Sequence, residues 1–177
     1  MQYFATALGL LAVALFVFSY QLKTRRSIIL VNALSRVLYV AQYVLLGAFD
    51  GALLDITAFF VSILCGQTER AFIKKHFALA VVLSNLVIVG VGMLSYQNLF
   101  SLLPIFGVIF ETLALWLKKE RHIRAASLLG APFWLLYNQH SRAYGSMVGN
   151  MITLVSLSVA IIRYDLLKKE MRGSNER

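Results

Sequence analysis

The sequence predicts an all-α, polytopic membrane protein whose seven transmembrane helices form two parallel triple-helix repeats joined by a linker helix. Three observations carry that prediction. The 177 residues are 59% hydrophobic and only 14% charged, with a mean hydropathy of +0.74, where a soluble domain of this size carries about 25% charge. The apolar residues fall in long blocks, and the basic residues gather in short runs between them. The order of the blocks then repeats, as three, one and three. This composition excludes a disordered chain, and Cys65, alone in the sequence, excludes an intrachain disulfide framework. The net charge of +9 is distributed as membrane orientation rather than as a nucleic-acid footprint.

A helix crossing the bilayer core needs about 20 mostly apolar residues, with a range of about 17–25. Tyr3–Tyr20 offers 18 uncharged residues, and Ser27–Phe49 offers 23 interrupted by Arg36. Gly51–Gly66 is only 16 long and contains Asp55. Phe77–Leu94 is 18 without a charge, and Leu99–Leu117 is 19 with Pro104 and Glu111 inside. Ala125–Asn138 is 14, with flanks that can snorkel or extend it. Ala143–Ile162 is 20.

Charge in the loops gives an independent check. Fifteen of the 17 basic residues fall in the first loop, the third loop, the fifth loop and the tail, leaving Arg142 in an alternate loop and Arg36 within a span. Positive residues stay cytoplasmic, so the amino terminus is expected outside and the carboxyl terminus inside. Dropping either weak span breaks this alternation. The first segment has its basic run after the apolar stretch, the reverse of a secretory signal. The last residues, 171–177, are polar and expected to fray.

The repeat divides the chain into residues 1–66, a first triple-helix unit; 67–98, a linker helix with its loops; 99–164, a second unit; and 165–177, a polar cytoplasmic tail. Parallel repeats about an axis along the membrane normal are a transporter plan. Tyr39 and Asp55 are 16 residues apart, as are Trp134 and Asn150; Tyr43 and Gly51 are eight apart, as are Tyr137 and Gly145. The pairings imply offsets of 95 and 94, so one slip is needed between them. The competing explanation is that any two helical hairpins align somewhere.

Ionisable residues inside a span cost a few kcal/mol and face a partner or a water-filled cavity. At 1.5 Å per residue, Arg36 lies about 14 Å from the cytoplasmic edge and Glu111 about 18 Å from the outer edge. A core about 30 Å thick makes them level, with Asp55 about 8 Å further out. An Arg36–Glu111 pair is expected, with Asp55 as neighbour or competitor. Two roles remain open for it: a static ion pair that joins the halves, or a charge pair that rearranges at a gate or pocket. Trp134 and Tyr39, near mid-span, offer aromatic faces to a sugar or heterocycle, although packing explains most such rings. Asp55 and Asn150 are costly in hydrocarbon unless used.

Asn32, Gln42, Ser84 and Asn85 are expected to make interhelical hydrogen bonds. Residues 137–142 read as a polar, interfacial outer end, and Pro104 and Pro132 as helix kinks. His76, His122 and His140 read as solvated. No phosphate loop, metal-spaced histidine pair or nucleophile elbow is present, so neither an enzyme nor a cofactor or metal is expected.

Trp134 and Asn150, an aromatic and an amide 16 apart on the second and third helices of a repeat, resemble the SWEET/PQ-loop group. In its half-sized bacterial relatives such a Trp and Asn line the central sugar pocket, and Tyr39 and Asp55 take those places in the first half here. The Pro-Gln pair of that group is not intact, with Tyr20-Gln21 in one half and Trp116-Leu117 in the other. Over nearly the whole chain, Tyr43-Val44-Leu45-Leu46-Gly47, Leu102-Leu103-Pro104-Ile105-Phe106-Gly107 and Ala160-Ile161-Ile162-Arg163 resemble the bacterial YgjV-type inner-membrane family. The resemblance implies a bacterial inner-membrane protein and fixes no substrate or activity.

The expected function is therefore a small-solute transporter or facilitator, with Tyr39, Asp55, Trp134 and Asn150 around the substrate and Arg36 with Glu111 stabilising or gating the bundle. The expected partners are the lipid bilayer and an unidentified small molecule, with no nucleic acid and no assigned oligomeric state. The alternative is a non-transporting membrane scaffold or accessory subunit, which predicts a tightly packed midplane with no polar cavity.

Overall fold

The computed structural model describes residues 1–19, 25–117 and 120–166. The described residues contain eight α-helices and no strand. They are α1 (Gln2–Ser19), α2 (Arg25–Leu46), α3 (Phe49–Cys65), α4 (Ala71–Lys75), α5 (Phe77–Leu94), α6 (Leu102–Trp116), α7 (Glu120–His140) and α8 (Tyr144–Ala160). A 3-10 turn, Leu99–Ser101, leads into α6, and a π turn, Ile161–Leu166, follows α8. The fraying expected at 171–177 and much of the tail at 165–177 lie outside the described residues.

Three helical stretches are long and apolar enough to cross a bilayer: Phe77–Leu94, Leu99–Trp116 and Tyr144–Arg163. Gln2–Phe18 and Leu30–Leu46 are shorter apolar helices. Charge accounts for the remainder. α3 has 17 residues and carries Asp50 and Asp55. α7 opens on Glu120, Arg121 and Arg124, which hide a 21-residue helix from a hydropathy reading that begins at Ala125.

The long helices close into a ring, with α1 on α2, α2 on α3, α3 on α6, α6 on α7, α7 on α8 and α8 back on α1. α5 packs outside it against α3 and α6. α8 approaches α1 so closely that a β-carbon on Gly145 would meet the Thr6 carbonyl and the Leu10 amide, an approach that small residues permit between membrane helices. Apolar groups such as Phe60, Leu86 and Val155 face outward, while Arg36, Gln42, Asp55, Thr112 and Ser146 are buried. A soluble protein does the reverse, and a lipid-facing exterior accounts for the pattern.

The α2–α3 and α7–α8 turns share one backbone solution. Gly47 has φ +73° and Arg142 has φ +57°; the following Ala48 (φ −87°, ψ 64°) and Ala143 (φ −80°, ψ 62°) match as well. The Gly47 and Ala48 amides donate to Val44 and Tyr43, and those of Arg142 and Ala143 donate to Gln139 and Asn138. Each is a Schellman closure, satisfying the last carbonyls of a helix. The Gln2 side-chain amide donates to the Arg142 carbonyl at 2.9 Å, and Phe100 stacks on His140 with ring centres 3.9 Å apart. α1 and α6 therefore start at the end of the bundle that carries the α7–α8 turn. His140 is exposed, as expected, and also has a ring partner.

Pro104 does not interrupt a helix. Asn98 caps the 3-10 turn through its side chain, and Pro104 falls in the first turn of α6, where an amide lacks an intrahelical acceptor anyway. Pro132 does sit inside α7, where it removes the amide that would bond the Leu128 carbonyl.

Candidate functional site

α2 carries Asn32, Arg36, Tyr39 and Tyr43 at steps of four, three and four residues, so one helical face presents all four. Ser127, Ala131, Trp134 and Asn138 repeat those steps on α7. The two faces enclose a cavity of about 420 Å³, closed further by Phe16, Asp55, Glu111 and the Asn150 face of α8. Tyr39, Asp55, Trp134 and Asn150 all line it, as do Arg36 and Glu111.

Arg36 is held between two carboxylates. Its Nη1 donates to Asp55 Oδ1 at 2.7 Å and its Nη2 to Glu111 Oε2 at 3.0 Å. The side chains of Arg36 and Asp55 are 6% and 4% exposed, against 24% for Glu111, so Glu111 is the member most open to the cavity. The expected pair is thus one guanidinium shared by both carboxylates.

Between the cavity and the turns lies a bonded layer. Tyr43 Oη donates to Asn138 Oδ1 at 2.6 Å, and Asn138 Nδ2 donates to Asn150 Oδ1 at 2.7 Å. Tyr137 Oη donates to Asp50 and accepts from the Gly51 amide at 2.9 Å. Ser146 donates to Gln42. The Tyr43 and Trp134 rings stack with centres 6.1 Å apart, and Tyr137 meets both edge-on. A β-carbon on Gly51 would strike the Tyr137 ring, and one on Gly107 would strike Trp134, so these glycines make room for the aromatic cluster.

Three buried polar atoms on the cavity residues have no hydrogen-bond partner among the described residues: Trp134 Nε1, Arg36 Nε and Asn32 Oδ1. A polar group buried without a partner costs free energy, and a solute with the complementary groups would recover it. The site thus offers two donors, one acceptor and aromatic faces.

Several expectations are corrected here. Within the expected polar outer end, Tyr137 and Asn138 are only 1% exposed, because their polar tips are used across the bundle. Gln42 does bond across helices, but Ser84 and Asn85 donate to the Val81 carbonyl of their own helix, a bond that serine and asparagine make within a turn. Asn32 has a cavity position instead of a neighbour for its oxygen. Tyr43, Asn138, Asp50 and Tyr137 are site residues absent from the expectation. The polar steps shared by α2 and α7 are the sequence signal that reveals the first two.

A family model described as Imp-YgjV, bacterial inner membrane protein, matches residues 3–168. No curated protein and no solved structure matches the chain.

Proposed function

The chain belongs to the Imp-YgjV family of bacterial inner membrane proteins, and from that premise we propose that it is a small-solute carrier with its binding site between two three-helix halves. The cavity of about 420 Å³ carries the proposal. Its volume falls in the range of about 300–1,000 Å³ typical of small-molecule sites. Trp134 stacks on the solute and donates from Nε1, Asn150 hydrogen-bonds it, and Tyr39 and Asp55 complete the wall.

The halves are α1–α3 and α6–α8, with α5 as linker, in a seven-span, SWEET-like plan. The matched turns support this, and so does the ring order: α1 on α2, α2 on α3 and α1 on α8 map onto α6 on α7, α7 on α8 and α6 on α3. A single offset of 95 fits both turns and the cavity faces. It also pairs the Gln42–Ser146 bond with the Tyr137–Gly51 bond and maps Tyr43–Asn138 onto itself, so the slip drops out. The amino terminus lies outside and the carboxyl terminus inside, following the loop charges. The bonded layer from Tyr43 to Tyr137 then closes the periplasmic end of the cavity. Opening it while closing the other end is the movement that carries solute across.

The test is the melting temperature of detergent-purified protein against sugars, nucleosides, vitamins and amino acids. Binding at a hundred times the dissociation constant stabilises the native state by about 2.7 kcal/mol. A solute shift lost in both Trp134→Ala and Asn150→Ala, with each variant folded, is the expected outcome. A shift that survives both substitutions removes the solute from this cavity.

A further inference from the structure

We propose that the solute is an organic monocation, taken up at the Asp55–Glu111 carboxylates in exchange for one proton. The proposal rests on the carrier function above and names its substrate class. It begins from charge. The triad holds two carboxylates against one guanidinium, and all three line the same cavity. Left ionised, it carries one negative charge in excess, and an unpaired charge at this depth costs several kcal/mol. One added positive charge removes the excess. In the empty site a proton supplies it on a carboxyl group; in the loaded site a cationic solute does, and the proton leaves. The exchange is one for one and electrically neutral.

Beside the two unpartnered donors, Trp134 Nε1 and Arg36 Nε, the groups around the triad include aromatic rings and an unpartnered acceptor that suit a cation. On α2 the neighbours are Tyr39 and Tyr43, and α7 adds Trp134, rings whose faces attract a cation. α8 contributes Asn150 and Thr153, and α1 contributes Phe16 and Val17, none of them charged. Arg124 also lines the cavity, but it lies about 10 Å further along α7 than Ala131. Asn32 Oδ1, buried and unpartnered, accepts a hydrogen bond from the solute. Arg36 is itself the chemical pattern the site holds, a planar cation between two carboxylates.

Three isosteric probes separate the possibilities: benzamidinium, neutral benzamide and anionic benzoate. Benzamidinium is expected to raise the Tm of the wild-type protein, and benzamide and benzoate are not. Titration of benzamidinium into weakly buffered protein should release about one proton per cation, and its affinity should fall about tenfold per unit of pH once the carboxyl group is protonated. Glu111→Gln should abolish both the binding and the release; Glu111→Asp, which keeps the charge, should retain them. Equal stabilisation by benzamide, cation binding without proton release, or no response to benzamidinium overturns the exchange. In each of these cases a neutral solute whose shift depends on Trp134 and Asn150 leaves the carrier function standing, so the two failures are distinguishable.

Discussion

The groups α1–α3 and α6–α8 use the same turns and the same polar steps, yet they bring different chemistry to the cavity. Residues 95 apart pair Asn32 with Ser127, Arg36 with Ala131, Tyr39 with Trp134 and Asp55 with Asn150. The first group supplies a cation and a carboxylate; the second supplies an indole and an amide. Glu111 crosses this division, standing where the first group has Phe16. The second difference is in cover. Ala58, Val61, Ser62 and Cys65 are buried on α3, while their counterparts Thr153, Ser156, Leu157 and Ala160 line the cavity. α5 packs beside α3 and α6, and α8 has no such neighbour among the described residues. The two groups therefore share their turns and divide the chemistry of the cavity, and among the described residues α3 is covered by α5 where α8 is not.

The largest break in this comparison comes from making the halves alike at Arg36. Arg36→Ala, which copies Ala131, leaves two carboxylates without their cation and should cost about 3–5 kcal/mol in a denaturant or thermal melt. Replacing all three charges, as Arg36→Met with Asp55→Leu and Glu111→Leu, should restore most of that stability, because well-packed apolar groups can substitute for a buried ion cluster. The same triple variant should lose solute-induced shifts. A smaller loss follows at the bonded layer. Tyr137→Phe removes the hydroxyl shared by Asp50 and the Gly51 amide and should cost about 1.5–3 kcal/mol, since one partner is a carboxylate. Ser146→Ala breaks the equivalent neutral bond to Gln42 and should cost about 0.6 kcal/mol. Equal losses at these two places would erase the asymmetry between the halves.

Most of the helices were legible because hydropathy and charge agree along them, as in α5, whose 18 residues carry no charge. α7 was half hidden because its first turn is charged, and α4, five residues long, is too short to leave a periodic signal. The alignment of Arg36 with Glu111 was legible because the helical rise is fixed, so depth follows from counting. Tyr137 and Asn138 were not. Near a helix end a tyrosine and an asparagine read as interfacial, and only the approach of α2, α3 and α8 gives their polar tips buried partners. Hydropathy along one helix contains no information about that approach.

The account stands on a cavity that solutes enter from one side of the membrane. The direct measurement is the labelling of Asn150→Cys, in a Cys65→Ala background, by a membrane-impermeant thiol reagent applied to either face of oriented vesicles. Phe60→Cys, on the lipid-facing exterior, serves as the control. The account predicts labelling of Asn150→Cys from the cytoplasmic face and little from the periplasmic face behind the Tyr43–Asn138 layer. No labelling from either face would make the cavity a sealed structural void and contradict the carrier.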